Sequence, residues 1–264
     1  MTPKRDYARL FDLTGRKAIV TGGSRGIGRA LSEALAAQGA DVAIVVRSSL
    51  ALADELAATL NVGGGDSFAV QADVSKPEDV ARVAAEVERR WGRADILVNN
   101  AGIIHPGPAE DFPLDLWRDT MAVNVEGVLL MSQAIGAMMI RRKAGSIVNV
   151  GSMSGRIVNW PFKHAAYNVS KAAVHMLTKC LATEWAEHGV RVNAVAPGYI
   201  LTELTEEVLR ENPEVVKNHW AAGAVQNRIG TVDELAGAVV YLASDAASFT
   251  TGEIHTVDGG LTLR

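Results

Sequence analysis

The sequence has one cysteine, few aromatic residues and no large excess of either charge. Because Cys180 is the only cysteine among 264 residues, neither a disulfide within the chain nor a cysteine-based metal cluster is possible. The net charge of −4 argues against a general surface for nucleic acid or anionic lipid. The sequence contains no run of about 18 uncharged apolar residues, and the first fifteen residues lack the apolar centre of a secretory signal. These absences predict a cytoplasmic protein that binds neither membrane nor nucleic acid.

What the sequence does contain is a regular alternation of short apolar runs and helical patterns. Apolar residues make up 48% of the chain and charged residues 21%, which suits a folded domain with a sizeable core. Continuous apolar runs predict strands covered on both faces, at residues 17–21, 42–46, 67–71, 96–98, 146–150, 191–195 and 254–257. Helices are predicted at residues 27–38, 50–60, 77–91, 114–142 (a short helix, then a long one), 165–188 and 231–243.

This alternation predicts one α/β domain over residues 1–264, doubly wound, with a parallel sheet and helices on both faces. Residues 202–225 stand apart, because they follow a strand, have a helical pattern and are interrupted by Pro213. We interpret residues 200–226 as a lid over a substrate site.

A glycine-rich stretch lies directly between the first predicted strand and the first predicted helix. Gly22, Gly26 and Gly28 are spaced Gly-x-x-x-Gly-x-Gly, which differs from the commonest dinucleotide fingerprint. Glycines let the backbone approach a pyrophosphate, and the helix N-terminus adds free N–H groups. The stretch therefore predicts a dinucleotide site.

The end of the second predicted strand indicates which dinucleotide binds. A carboxylate there would accept hydrogen bonds from the ribose hydroxyls of NAD, whereas a cation would pair with the 2′-phosphate of NADP. The chain has Arg47, Ser48 and Ser49 at this point, and Arg25 lies in the glycine loop. Arginine can contact a phosphate through two hydrogen bonds. NADP(H) is predicted to be preferred, with NAD(H) possible.

Tyr167 and Lys171 are four residues apart and therefore share one face of a helix. A free phenol has a pKa of about 10, and a neighbouring ammonium favours the phenolate and lowers that value. The pair predicts an acid/base device only in combination with other motifs, because the same spacing is common on amphipathic helices.

Taken together, the motifs of this chain resemble the short-chain dehydrogenase/reductase family. The resemblance rests on Thr21 to Gly28, Asp73, Asn99 to Gly102, Asn124, Ser152, Tyr167, Lys171, Pro197 and Gly198, which occur in the family's order along nearly the whole chain. It implies a single Rossmann-type domain with a seven-stranded parallel sheet, assembled as a homotetramer or a dimer.

The resemblance also implies roles for individual residues. Tyr167 would be the general acid/base, Lys171 would hold the nicotinamide ribose, and Ser152 would orient the reacting oxygen. Asn124 would hold, through its helix backbone, a water that links Lys171 to solvent. With the strand-end residues added, the cofactor site would comprise Gly22, Ser24, Arg25, Gly26, Ile27, Gly28, Arg47, Ser48, Asp73, Val74, Asn100, Ala101, Gly102, Tyr167, Lys171, Pro197, Gly198, Ile200 and Thr202.

One departure from the family pattern concerns the active serine. It usually lies thirteen residues before the tyrosine, a spacing that Ser154 has, whereas Ser152 lies fifteen before. The surrounding Gly-Ser-Met-Ser-Gly favours Ser152, with the extra length in the loop that follows, and this variant resembles the polyol dehydrogenases. The substrate would then meet Ser152, Ser154, Asn159, Trp160, His164, Tyr167 and Tyr199.

The predicted activity is hydride transfer between NADP(H) and a secondary alcohol or ketone, with a polyol and its ketose as the expected pair. No metal is expected, because the six histidines are scattered. One alternative is a 3-oxoacyl thioester reductase, which needs a basic surface near the site for an acidic carrier protein. Two interpretations are open for the basic residues Arg141, Arg142, Lys143 and Arg156: they supply that surface, or they form an ordinary solvated face. Another alternative is a protein that binds NADP(H) as a sensor without catalysis, which would lack part of the catalytic set.

Overall fold

A computed structural model describes residues 6–211 and 213–263, and in that part of the chain seven parallel strands form one sheet. The strands are β1 (Lys17–Thr21), β2 (Asp41–Val46), β3 (Phe68–Gln71), β4 (Ile96–Asn99), β5 (Gly145–Val150), β6 (Val190–Pro197) and β7 (Ile254–Val257). Their spatial order is β3-β2-β1-β4-β5-β6-β7. Every predicted strand is confirmed, with ends that differ by at most two residues. Residues 1–5, 212 and 264 of the predicted domain and lid lie outside the described residues.

Helices connect the strands. They are α1 (Gly26–Ala37), α2 (Leu50–Leu60), α3 (Pro77–Trp91), α4 (Leu114–Met121), α5 (Gly127–Arg142), α6 (Ala165–Trp185), α7 (Glu203–Glu211), α8 (Pro213–Val215) and α9 (Val232–Ala243). Two π turns, at Ala122–Glu126 and Val216–Ala221, complete the set. The predicted helices are confirmed, and the predicted helical lid consists of α7, α8 and the second π turn.

Successive residues of a strand point to opposite faces of the sheet. Because consecutive strand residues here are apolar, helices cover both faces. On β1, Ala18 and Val20 pack into one apolar cluster while Ile19 packs into the other. The first cluster contains α1, α2 and α9, and the second contains α3, α5 and α6. The prediction of a doubly wound α/β domain is confirmed.

The stretch Leu114–Arg142, which comprises α4, the first π turn and α5, has a mean hydropathy of 1.5 over its most apolar window. By length and composition alone it could cross a membrane, although Glu126 interrupts it. In the fold 56% of that window is buried, because Met131, Ile135 and Met139 of α5 pack into the second cluster. Burial in the core accounts for its apolar character.

The chain crosses from one half of the sheet to the other between β3 and β4, so β1 and β4 become neighbours. In sheets of this kind ligands bind in the crevice outside the carboxyl ends of these strands. Arg141 and Arg142 lie at the opposite edge, where they pair with Glu88 at 3.3 Å and with Asp95, at the start of β4, at 2.8 Å. Lys143 directly follows them, and Arg156 donates to the carbonyl of Ile254. Arg141 and Arg142 therefore lie away from the carboxyl edge, which favours an ordinary solvated face for these two residues.

Candidate active site

The glycine loop between β1 and α1 requires its three glycines. Gly22 and Gly26 have φ values of +64° and +47°, a backbone region that other residues rarely adopt. A Cβ added to Gly28 would lie 2.1 Å from the carbonyl oxygen of Gly22. Arg25 caps α1 without a side-chain hydrogen bond to the helix, so the first amides of α1 are not satisfied by a cap. The loop fits a pyrophosphate group.

The end of β4 is fixed to the end of β1 through side-chain hydrogen bonds. The Thr21 hydroxyl accepts the N–H groups of Asn100 and Ala101, each at 3.0 Å. The Asn100 amide donates to the carbonyls of Thr21 at 2.9 Å and Gly22 at 3.1 Å. Two stretches predicted from separate motifs are thus joined at one edge of the sheet.

The stretch after β6 reaches the same edge. Gly198 donates to Val257 at 2.9 Å, and a Cβ added to Gly26 would lie 3.5 Å from the Thr202 side chain. Ile200 forms a bridge with Gly230. The segment predicted to be a lid is therefore joined to itself near its two ends by this bridge between residues 200 and 230.

The residues predicted to select the cofactor lie beyond β2. Arg47 and Ser48 are exposed, and the Arg25 guanidinium donates to the Ser49 hydroxyl at 2.8 Å. Ser49 is the N-cap of α2 and makes no side-chain hydrogen bond to that helix. The Arg25 guanidinium, the Ser49 hydroxyl and the N-terminus of α2 thus lie together, with Arg47 and Ser48 directly before them in the chain, and these are groups suited to an anion.

The remaining predicted cofactor residues are held by local contacts. The Asp73 carboxylate accepts from the backbone and hydroxyl of Ser75 at 3.0 and 2.7 Å. Val74 is buried, and a Cβ added to Gly127 would lie 2.8 Å from it. Ser24 is buried in the glycine loop, and Ile27 packs against the first cluster.

Ser152, Tyr167 and Lys171 lie together where β5 ends and α6 begins. The Ser152 hydroxyl lies beside the Tyr167 phenol, close enough to lower the pKa of that phenol against the effect of burial. The Lys171 ammonium lies 5.6 Å from the centre of the Tyr167 ring and donates to the Val150 carbonyl at 2.8 Å. A Cβ added to Gly102 would lie 3.6 Å from the Lys171 nitrogen, so this group adjoins the end of β4.

Burial, more than the neighbouring ammonium, governs the acidity of the pair. Burial raises the pKa of the Tyr167 phenol, and the hydrogen bond with Ser152 opposes that shift. Burial also lowers the pKa of Lys171 to about 8. The expectation that Lys171 draws the phenol pKa down is therefore not met in this arrangement, because removal of water disfavours both charged forms.

Asn124 lies in the π turn between α4 and α5 and is fully buried. Its side chain accepts the N–H of Ile103 at 2.8 Å and donates to the Ile103 carbonyl at 2.9 Å and to the Ser170 hydroxyl at 3.0 Å. These bonds join the loop after β4 to α6 close to Lys171. A widened turn of this kind is frequent at functional sites.

The choice between the two serines is informed by their mutual contact. Ser152 donates to the Ser154 hydroxyl at 3.0 Å and accepts the Ser154 N–H at 3.1 Å. Since Ser152, and not Ser154, interacts with the Tyr167 phenol, Ser152 faces the phenol and Ser154 accepts the Ser152 hydroxyl proton. The backbone N–H of Ser152 points toward a residue that was not singled out from the sequence, His175, at 3.5 Å. The sequence feature that could have identified His175 is its position one helical turn after Lys171, on the same face of the helix.

An aromatic cluster joins the loop before α6 to the lid. Trp220 stacks on Tyr199 with ring centres 4.5 Å apart and lies 6.0 Å from Phe162, which in turn stacks on His164 at 5.6 Å. The Asn159 side chain lies beside the Tyr199 phenol and opposes the rise in its pKa that burial causes. The Asn159 Oδ1 and the Trp220 Nε1 are buried without a hydrogen-bond partner. Trp160, by contrast, is 77% exposed. No group of three or more potential metal ligands occurs in residues 6–211 and 213–263.

Comparison with known proteins extends over nearly the whole chain. The sequence model of the family described as enoyl-(acyl carrier protein) reductase matches residues 22–262. A galactitol 2-dehydrogenase of Rhizobium johnstonii is 47% identical over 260 residues, which cover 97% of this chain and 98% of that one. A sorbose reductase of Candida albicans is 42% identical over 255 residues, or 96% of this chain and 89% of that one. The crystal structure of a gluconate 5-dehydrogenase from Burkholderia cenocepacia in complex with NADP and tartrate is 37% identical. It has a TM-score of 0.92 and covers 98% of this chain and 100% of that one.

Proposed function

Because the chain belongs to the short-chain dehydrogenase/reductase family of oxidoreductases that act on CH–OH groups, we propose that it interconverts a polyol and its ketose with NADP(H). The observation that carries the proposal is the grouping of Ser152, Tyr167 and Lys171 beside the end of β4. Two hydroxyl donors and a cation at the carboxyl edge of the sheet suit the reduction of a carbonyl group.

The side chains supply what hydride chemistry requires of the protein. NADP(H), when bound, gives or takes the hydride, so the chain must hold the substrate oxygen and move one proton. In reduction, Ser152 and Tyr167 donate hydrogen bonds to the carbonyl oxygen as it collects negative charge, and Tyr167 then protonates it. Lys171, with a pKa of about 8, exchanges protons near neutral pH and returns one to Tyr167. Asn124 fixes the helix backbone that would hold a water, and that water would link Lys171 to solvent.

NADP(H) is the proposed cofactor because the site fits its parts in order along the crevice. Gly22, Gly26 and Gly28 leave room for the pyrophosphate. The group around Arg47 offers charge to a 2′-phosphate, and the stretch from Pro197 to Thr202 would hold the nicotinamide. The NADP present in the related gluconate 5-dehydrogenase structure is consistent with this assignment.

A polyol or ketose is the proposed substrate because the loop before α6 and the lid each hold a buried polar atom without a hydrogen-bond partner. The buried Asn159 Oδ1 can accept a hydrogen bond and the buried Trp220 Nε1 can donate one. A hydroxyl group can do both, and sites built to hydrogen-bond hydroxyls discriminate strongly against apolar analogues. Ser154, His164 and Tyr199 complete the proposed pocket, with Trp160 at its outer rim. The names of the galactitol and sorbose relatives agree with this class.

We propose that the enzyme is a cytoplasmic homotetramer. Val169 and Met176 on α6 are 46% and 59% exposed, and they lie two turns apart on one face of the helix. An exposed apolar face of this kind suits contact with a second copy. Light scattering coupled to size-exclusion chromatography would measure the assembly, and a mass of one or two chains would contradict the proposal.

The catalytic role of Tyr167 is tested by Tyr167→Phe. Loss of the transferable proton should lower kcat by about 10²- to 10⁴-fold, while binding of NADPH, measured by fluorescence, should change little. Tyr241→Phe is the matched control, since that phenol bonds only to Thr250, at 3.0 Å, on the outside of α9. Equal rates for Tyr167→Phe and the wild type would refute the mechanism.

A substrate panel separates the proposed activity from its alternatives. Polyols and ketoses should be turned over with NADP(H), whereas a 3-oxoacyl thioester should react poorly because Arg141 and Arg142, two of the basic residues considered for a carrier surface, lie at the far edge of the sheet. Faster turnover of the thioester would favour the acyl reductase. Tight NADPH binding without turnover of either class would favour a sensor.

A further inference from the structure

The imidazole of His175 lies under the turn that presents Ser152. His175 is on α6, four residues after Lys171 and eight after Tyr167, so the three side chains share one face of the helix. The residue is only 7% exposed. Its Nε2 atom lies 3.5 Å from the backbone nitrogen of Ser152.

Glycines on both sides of the ring make room for it. A Cβ added to Gly151 would lie 2.4 Å from the Nε2 atom, and one added to Gly155 would lie 2.7 Å from Cε1 and 2.8 Å from Nδ1. Such separations are well inside the normal contact distance of about 3.5 to 4.0 Å. Neither glycine has a positive φ. Lack of space, not backbone conformation, explains why these two positions have no side chain.

The charges around the ring keep it neutral. Burial, together with Arg156, Lys171 and Lys179, lowers the pKa of His175 to about 4. A neutral imidazole has one nitrogen that accepts a hydrogen bond. Near neutral pH, Nε2 can therefore accept the N–H of Ser152 while the other nitrogen carries the proton.

We propose that His175 is a positioning residue that holds the Ser152 turn so that the Ser152 hydroxyl stays within hydrogen-bond reach of Tyr167. The proposal rests on the function proposed above. The helix α6 then carries the acid/base Tyr167, the neighbouring cation Lys171 and the residue that positions Ser152, the second hydrogen-bond donor to the substrate oxygen. Displacement of a reacting group by about 1 Å can cost up to about 100-fold in rate, so a support that touches no substrate can still control turnover.

The test compares His175→Leu with His175→Gln. The leucine fills similar space but accepts no hydrogen bond, and it should lower kcat at least about tenfold while KM and the NADPH dissociation constant stay near the wild-type values. The glutamine carbonyl can reach the position of Nε2 and should restore most of the lost kcat. His188→Leu, at the exposed end of the same chain segment, controls for removal of a histidine as such.

Melting temperatures of all variants separate positioning from simple packing. The proposal is overturned if His175→Leu has wild-type kcat, if the glutamine and leucine variants are equally slow, or if the rate falls only with the folded fraction. If the leucine variant does not fold, His175→Asn replaces it, because its shorter amide cannot reach the Ser152 N–H. If Tyr167→Phe is inactive and His175→Leu is fully active, the positioning role of His175 is refuted and the proposed function is not.

Discussion

Replacement of Arg47 by alanine is the sharpest test of the cofactor assignment. Arg47 follows β2 directly, and its backbone is fixed because the Gln71 amide donates to its carbonyl at 3.1 Å. Its side chain is exposed and lies two residues from Ser49, which is bonded to Arg25. A 2′-phosphate at this point would carry a charge of about −1.5 to −2 near pH 7, whereas the same position in NAD is a neutral hydroxyl.

The expected effect follows from the exposure of Arg47. Two unit charges 4 Å apart attract each other by about 1 kcal/mol in water and by about 4 kcal/mol near a protein surface. An exposed guanidinium lies between these limits, at about 2 kcal/mol, which corresponds to roughly a 30-fold change in affinity. Arg47→Ala should therefore lower kcat/KM for NADPH roughly 30-fold and leave the value for NADH nearly unchanged.

The assay measures kcat/KM for both cofactors at low and high salt. The wild-type preference for NADPH should shrink as salt screens the exposed charges, and Arg47→Ala should show less of that dependence. Arg47→Asp should reverse the preference toward NADH, because a carboxylate repels the phosphate of NADPH and accepts hydrogen bonds from the ribose hydroxyls of NADH. Arg89→Ala removes an equally exposed charge from the end of α3 and serves as the control. An NADPH/NADH ratio that Arg47→Ala leaves within twofold of wild type would refute the assignment.

Three other perturbations test separate parts of the molecule. Below pH 8 the buried ammonium of Lys171 destabilises the fold by about 3 kcal/mol, and this cost disappears between pH 8 and 10.5 as the folded state loses the proton first. Lys171→Met should therefore abolish activity yet raise the melting temperature at pH 7, and an equal gain at pH 10 would contradict the argument. Gly28→Ala would place a Cβ 2.1 Å from the carbonyl oxygen of Gly22. It should lower the free energy of unfolding, measured in urea, by about 3 kcal/mol or more. Gly237→Ala, in an exposed position of α9 with nothing within 4 Å, should gain about 0.5 to 1 kcal/mol; a loss at that position would show an unseen contact. Trp220→Phe keeps the aromatic stack but removes the unpaired N–H. The KM for a polyol should rise about fivefold, as expected for the loss of one hydrogen bond. The KM for a ketone without further hydroxyl groups should stay unchanged.

The elements of the fold could be predicted because each strand is a continuous apolar run bounded by turn residues. Leu50–Leu60 and Pro77–Trp91 were predicted to the residue, since glycines or a proline bound their patterns. The distance of Arg141 from the site could also be predicted. A helix that ends just before a parallel strand ends at that strand's amino edge, whereas Ser152 follows its carboxyl edge.

Other features of the site depend on contacts that a sequence does not show. The acidity of Tyr167 is set mainly by burial, which depends on how distant parts of the chain pack together. The role of His175 depends on its distance from a turn 23 residues earlier. The bonds from Thr21 to Asn100 and Ala101 join positions about 80 residues apart. Local spacing could suggest none of these pairings.

The crossover between β3 and β4 has a consequence for how such enzymes diversify. Every residue proposed to distinguish NADP from NAD precedes it, from Arg25 to Ser49, and every residue proposed to distinguish substrates follows it, from Ser152 to Trp220. The two selectivities are inherited as separate blocks of the chain, joined at the short turn between α3 and β4. Recombination at that turn, where Asp95 accepts the N–H of Lys17 at 2.9 Å, would exchange one selectivity between family members and leave the other intact. Lineages with this fold can thus change redox partner without losing the alcohol they oxidise.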